Sequence, residues 1–292
     1  MTWEEIIIQI RTDPAYKALV EFAYFEADLA LNVNRFRASD EYKETLERIN
    51  SHFGNRKGLR LADIGAGNGV AAVAFALDGF KVAAVEPDPS NTVGAGAIRK
   101  LKQEFNLAQL DVIEAWGEAL PLEAGTFDVV YIRQAVHHAH ELKKFIAEAA
   151  RLLRKGGLLL TVRDHVIFDE NDKNWFLESH PLHKFYGGEN AFTEQEYDEA
   201  IKGAGLRILK KLRHFESVIN YFPEKRSDIE AKLEKRKLFL EGLWAGKRLG
   251  PFRKSSALKR WYFRRAEAKL GPVFDERKIP GRMITYLAKK NA

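Results

Sequence analysis

Apolar positions change their spacing once along this chain. Over residues 1–50 they recur three and four apart, most clearly in "AYKALVEFAYFEADLAL" and "SDEYKETLERI", which predicts helices, with Ser39 as an N-cap ahead of acids. No strand signal precedes Leu59. From there short apolar runs alternate with helical stretches, the pattern of βαβ units and a parallel sheet. Strands are predicted at 59–64, 81–86, 111–116, 127–132 and 157–163. Between them, "GVAAVAFALDG" stops at Gly79, and "ELKKFIAEAARLLRKGG" places Ile146, Ala150 and Leu153 on one buried face. "TEQEYDEAIKGAGLRILKKL" opens with a capping box, Thr193 with Glu196, and leads into a sixth strand.

Residues 222–280 break that rhythm with helical stretches separated by Gly and Pro, and "RMITYLAKK" (282–290) returns to a strand pattern. The expected layout is a helical cap over 1–57, an α/β domain over 58–221, a helical insertion over 222–280 and a terminal strand in 281–292 that rejoins the sheet.

Composition narrows the chemistry. The 292 residues are 46% hydrophobic and 30% charged, those of an ordinary globular protein, and they include no cysteine. That removes disulfides, thiolate zinc, iron–sulfur clusters and thiol nucleophiles. An N-terminus rich in acids, with no apolar run of membrane-spanning length, leads us to expect a cytoplasmic protein, at most peripheral to a membrane surface. The net charge of +6 is uneven: residues 223–292 hold 20 Lys+Arg against 8 Asp+Glu, a balance of +12 that leaves −6 for residues 1–222. The basic, aromatic-interleaved insertion suits phosphates, an anionic surface or an acidic substrate; a solvated helix face is the plain alternative.

The stretch "LADIGAGNGVAAVAFA" (61–76) ends a strand in an acid and turns through Gly65, Gly67 and Gly69 into a helix. Glycines there let a ligand approach the backbone. A pyrophosphate would be repelled by Asp63, and the spacing is Gly-x-Gly-x-Gly rather than Gly-x-Gly-x-x-Gly, so the ligand is expected to carry positive charge near the acid. "VAAVEPDPS" then puts Glu86 at the second strand's tip, placed to accept from two ribose hydroxyls.

With "GEALPLEAGTFDVV" and "LLRKGGLLL" following in order, the sequence resembles the class I S-adenosylmethionine-dependent methyltransferases of the type 11-like group, over roughly residues 35–213. The resemblance implies a three-layer Rossmann-like fold with a mostly parallel seven-stranded sheet whose antiparallel last strand slips between the fifth and sixth. It implies S-adenosylmethionine as cofactor, converted to S-adenosylhomocysteine. Asp63 would sit near the methionine ammonium, with Gly65, Ala66 and Gly67 beneath the cofactor and Glu86 on the ribose. Glu118 would accept from the adenine amino group while the Ala119 amide reaches a ring nitrogen. Pro87 and Gln134 complete the expected cofactor contacts.

Transfer from a sulfonium needs an aligned acceptor, and a hydroxyl acceptor gains from a general base. "RDH" (163–165) supplies the candidates: His165 as base, Asp164 orienting it or binding substrate, with His138 a further catalytic candidate. His137, His180, His183 and Tyr186, with Arg35 and Phe36 of "NRFRAS", are expected around the acceptor. Cysteine-dependent C5 methylation is excluded, no Asn/Asp-Pro-Pro motif follows the fourth strand, and a metal site would need more carboxylates than Asp164. The leading expectation is transfer to oxygen or nitrogen of a small-molecule or glycan/lipid-precursor substrate. Alternatives are an RNA methyltransferase gripping phosphates with the basic insertion, a cofactor-binding protein without turnover and, more distantly, a nicotinamide-dependent dehydrogenase.

Overall fold

In the computed structural model, residues 2–55, 57–186, 190–247, 252 and 254–291 are described, the side chains of Lys184 and Tyr186 excepted. They form two compact units, 1–222 with 280–292, and 223–279. Among the described residues no helix is long and apolar enough to cross a membrane.

The first unit is built on β1 (Arg60–Ile64), β2 (Lys81–Val85), β3 (Leu110–Ile113), β4 (Phe127–Arg133), β5 (Leu153–Ile167), β6 (Phe192–Thr193), β7 (Leu206–Leu212) and β8 (Met283–Lys290). Their order is β3-β2-β1-β4-β5-β8-β7, with β8 antiparallel to both neighbours and β6 pairing the end of β5. This is the expected seven-stranded arrangement, extended by a two-residue eighth strand. The third strand is shorter than the sequence suggested, because the chain leaves the sheet after Ile113, and the fifth runs on to Ile167.

Both faces of the sheet are covered, which is why its strands read as continuous apolar runs. Leu61, Val82, Val129 and Leu160 pack on one side with helices Leu29–Ala38, Asp40–Phe53 and Val70–Leu77, through Phe36, Tyr42 and Phe75. Ala62, Val85, Val130 and Leu159 pack on the other with helices Leu142–Leu152 and Glu194–Gly203. Helix Leu142–Leu152 buries Ile146 and Ala150, and Leu153 opens β5. Ser39 caps helix Asp40–Phe53 through Tyr42 N–H, and Thr193 and Glu196 form their capping box. Helices Leu29–Ala38 and Asp40–Phe53 are thus part of the main core, whereas Ile6, Ile7, Ile10 and Val20 form a separate cluster with Val93 and Leu182.

A bulge in β5 decides what faces where. Arg163 takes φ 56°, and the pairing with β8 shifts register between Thr161 and Asp164. Leu160 and Val162 face the N-terminal helices, and strict alternation would send Arg163 to the opposite side. Instead Arg163 also turns to that side, reaching Glu41 and the Ile219 carbonyl, and Asp164 turns to the other, reaching His137 and Tyr197.

The second unit holds helices Arg226–Ala245 and Ser256–Leu270, joined by Trp244 against Tyr262 at 5.5 Å and by Arg236 donating to the Gly271 carbonyl at 3.1 Å.

Candidate active site

The tips of β1, β2 and β4 converge. Gly65 and Ala66 N–H both donate to the Val85 carbonyl, fastening the glycine loop to the end of β2. Gly65 and Gly67 have φ of +71° and +55°, left-handed conformations that suit glycine. Their missing side chains serve different ends. A Cβ on Gly65 would lie 2.5 Å from Ala135 Cβ in the segment after β4, so the two loops abut there. A Cβ on Gly67 would meet only the Val93 carbonyl, at 4.0 Å, so the backbone there faces open space. Close ligand approach is therefore available at Gly67, and Gly65 is needed for packing.

Two buried carboxyls stand at the ends of β1 and β2. Asp63 is 1% exposed, and its Oδ2 has no hydrogen-bond partner among the described residues. Burial pushes its pKa up to about 7, with the Glu86 charge adding and Arg133 opposing. Glu86 Oε2 accepts from Gly67 N–H at 2.7 Å and Oε1 from Asp88 N–H at 3.0 Å, leaving each oxygen further acceptor capacity. Burial drives this carboxyl up to about 7 as well, against both bonds. A buried acid with an orphaned oxygen, a second acid with spare acceptors and an open loop bonded to the second fit a ligand with a cationic end and a diol.

The remaining expected cofactor residues lie on the same sheet edge with varied commitments. Pro87 is partly buried beyond β2. Gln134 follows β4 with φ 51° and donates its N–H to the Val162 carbonyl. Glu118 is half-buried and accepts from His140 N–H at 3.0 Å through Oε1. Ala119 is exposed, and its amide donates to the Trp116 carbonyl at 3.1 Å instead of standing open toward a ring nitrogen.

The histidine cluster differs from the sequence expectation. Asp164, fully buried, does not orient His165. Its Oδ2 accepts from Val136 N–H (3.0 Å), and its Oδ1 from His137 N–H (2.9 Å), the His137 ring (Nδ1, 2.7 Å) and Tyr197 O–H (3.0 Å). Burial raises the acid, but the His137 hydrogen bond and the neighbouring charges outweigh it and hold Asp164 below the usual carboxylate range. With Asp164 ionised, the 2.7 Å contact is a donation from the His137 Nδ1–H, which orients the ring. The same carboxylate caps the 3₁₀ turn Val136–His138.

His165 is 8% exposed, and its Nδ1 is bonded to the Gly281 carbonyl. Burial and the proximity of His137 push its pKa down to about 3, so it is neutral at pH 7 and a weak proton acceptor. Its ring packs on His137 at 4.8 Å, Phe176 at 4.7 Å and His180 at 5.9 Å. His138 is half-buried with its ring 4.2 Å from that of His137.

Of the expected acceptor residues, His180 and His183 line a cavity of about 340 Å³ with Asn174, Leu177, Glu178 and Pro181. The Tyr186 side chain lies outside the described residues. Phe36 does not face a ligand: it is fully buried against Tyr24 and Tyr42, because the first helical stretch belongs to the core. Arg35 donates to the Glu21 carbonyl and lies 5.7 Å from the Tyr24 ring, local contacts of its own helical region.

Sequence reading missed a buried ion cluster beneath the site. Glu41, fully buried, accepts from Arg133 through two bonds (2.6 and 3.0 Å) and lies 3.3 Å from Arg163 Nη1. Burial alone would raise Glu41, but the two guanidinium charges outweigh it and lower its pKa. Arg133 also opposes the upward shift of Asp63, so the cluster and the cofactor edge are electrostatically linked. An acid in the first turn of a helix reads as a solvent-facing partner of the helix N-terminus, and nothing local marks Glu41.

Comparisons with known proteins follow the same edge. Residues 62–161 match the family model described as a methyltransferase domain. A ubiquinone/menaquinone biosynthesis C-methyltransferase from Campylobacter jejuni is 28% identical over 139 residues, 46% of this chain and 55% of that protein. A ubiquinone biosynthesis O-methyltransferase from a Caulobacter species is 35% identical over 105 residues, 36% of this chain and 40% of that protein. The chain thus aligns with about half of those two relatives' length. A solved geranyl diphosphate methyltransferase, in complex with GPP and sinefungin, shares the fold with a TM-score of 0.55 at 16% identity, over 85% of this chain and 79% of that one.

Proposed function

We propose, from a chain whose residues 62–161 match a methyltransferase domain, that the protein is a class I S-adenosylmethionine-dependent methyltransferase acting on oxygen or nitrogen of a small-molecule or glycan/lipid-precursor acceptor. The observation carrying this reading is the pair of buried carboxyls at the ends of β1 and β2, Asp63 with an unpartnered Oδ2 and Glu86 bonded to the N–H of Gly67, where the backbone is open. S-adenosylmethionine, when bound, supplies an electrophilic methyl on a sulfonium with a neutral leaving group. Asp63 would hold the ammonium end and Glu86 the ribose hydroxyls, each ionising as the positive ligand enters. Glu118 would meet the adenine side, and Gly67 would let the ligand reach the backbone.

Proton removal from the acceptor falls to His137 in this reading, with Asp164 as the positioning residue. Asp164 fixes the ring and stabilises the imidazolium formed when Nε2 takes a proton, an arrangement that His165, held neutral on the Gly281 carbonyl, lacks. His180 and His183, which line a cavity with Asn174 and Glu178, would border the acceptor in this reading. The C- and O-methyltransferases among the relatives support a small organic substrate and leave the acceptor atom open.

The test is release of S-adenosylhomocysteine from the full chain across hydroxyl- and amine-bearing acceptors. His137→Gln is expected to cut kcat by on the order of 100-fold or more while S-adenosylmethionine affinity stays within a factor of about two. Unchanged turnover would remove His137 from the chemistry. Loss in His165→Gln alone would return the role to that residue.

A further inference from the structure

No residue of the helical unit 223–279 is given a role in the chemistry above, and its surface is unusual. It holds 17 Lys+Arg and 8 Asp+Glu, a balance of +9 that leaves −3 for the rest of the chain. Helix Ser256–Leu270 turns one side inward, with Leu258, Tyr262, Phe263 and Ala266 partly buried. At 100° per residue, the other side is a stripe of about 140°. It holds Ala257, Arg260, Trp261, Arg264, Arg265 and Ala268, all exposed, with Glu267 at its border. Trp261 is 54% exposed, and the Arg265 guanidinium lies 5.7 Å from its ring. Just before the helix, Phe252 is 68% exposed.

A solvated basic face explains the arginines but not an indole held in water among them. An aromatic ring set in a cationic stripe on a helix matches an interface between water and an anionic bilayer, where the indole sits at headgroup depth and guanidinium groups meet lipid phosphates. Phosphates of single-stranded nucleic acid would satisfy the charge equally well. Readers of such strands line a groove with several rings on which successive bases stack. Here a convex helix offers one indole flanked by two alanines, which allow close approach to a flat surface.

We infer that unit 223–279 is a peripheral membrane-docking module, with Arg260, Trp261, Arg264 and Arg265 lying on anionic lipid. The inference is independent of which atom the catalytic unit methylates. Its test uses the full chain and phosphatidylcholine vesicles with and without phosphatidylglycerol, read by co-sedimentation and tryptophan emission.

Binding is expected to the anionic vesicles only and to weaken with salt as the charges are screened. Each arginine replaced by alanine should cost about fivefold in partitioning, and all three on the order of 100-fold. Trp261→Phe should remove the blue shift that vesicles induce. Circular dichroism and melting of these surface variants are expected to match the parent. Equal binding to neutral vesicles, no binding to either, or partitioning indifferent to the three arginines would overturn the inference. So would a single-stranded RNA that competes with vesicles and whose binding is lost in the same variants, which would assign the face to nucleic acid.

Discussion

Asp63 and Glu86 set the strongest expectations at the scale of single residues. Both carboxyls are raised to about 7 without ligand, and a cationic ligand favours their ionised forms. S-adenosylmethionine affinity should therefore rise with pH through about 7 and level off above it. Glu86→Ala is expected to weaken binding by about 1–3 kcal/mol, the usual cost of losing a buried charged hydrogen-bond partner, as measured by calorimetry. Sequence reading found both acids because each sits at a strand tip beside a local signal, the glycine turn or "VEPDP". It misassigned Asp164, whose partner His137 lies 27 residues away and is reached only after Arg163 adopts a left-handed backbone that no propensity marks.

Elements bring out the difference between glycines that read alike in the sequence. Gly65→Ala would force a Cβ to within 2.5 Å of Ala135 and should lower thermal stability beyond the about 1–2 kcal/mol of left-handed strain. Gly67→Ala carries similar strain without the clash, so its larger effect should fall on cofactor affinity. Paired melting and calorimetric measurements separate the two. The positions of the main strands were legible because each is a short apolar run between helical stretches, whereas the antiparallel return of β8 was an expectation carried by the family resemblance. The two-residue β6 and the extension of β5 were not legible, since both depend on pairing with distant chain. Residues 1–57 read as a cap, yet Phe36 and Tyr42 of helices Leu29–Ala38 and Asp40–Phe53 pack into the same core as Phe75. That core encloses Glu41 with Arg133 and Arg163, so Glu41→Ala, which leaves both guanidinium groups buried without their carboxylate, should destabilise by about 3–5 kcal/mol in chemical denaturation.

Across the whole molecule, the same groups shape stability against pH. The folded protein holds protons on Asp63 and Glu86 that the unfolded chain releases near pH 4, so their contribution is lost as pH rises through about 7. His165, depressed to about 3, acts in the opposite sense, and its contribution fades below about 6.5 as the unfolded chain takes up a proton. Two carboxyls lose stability with rising pH where one histidine gains it, so ligand-free protein should become less stable from about pH 4.5 upward, its Tm falling by at least about 2 °C between pH 6 and pH 8. Saturating cofactor should remove that fall. The charge division between the −3 and +9 portions of the chain was readable from composition, but the exposure of Trp261 within its arginine stripe needed the helix in three dimensions.

The most direct measurement is a calorimetric titration of S-adenosylmethionine into the full chain at pH 6 and pH 8, in buffers of different ionisation enthalpy. Saturable binding at both values, tighter at pH 8 and with proton release near neutrality, is the expected result. No binding at either pH, or binding of equal strength with no proton exchanged, would contradict the assignment of Asp63 and Glu86 as the carboxyls that receive the cofactor.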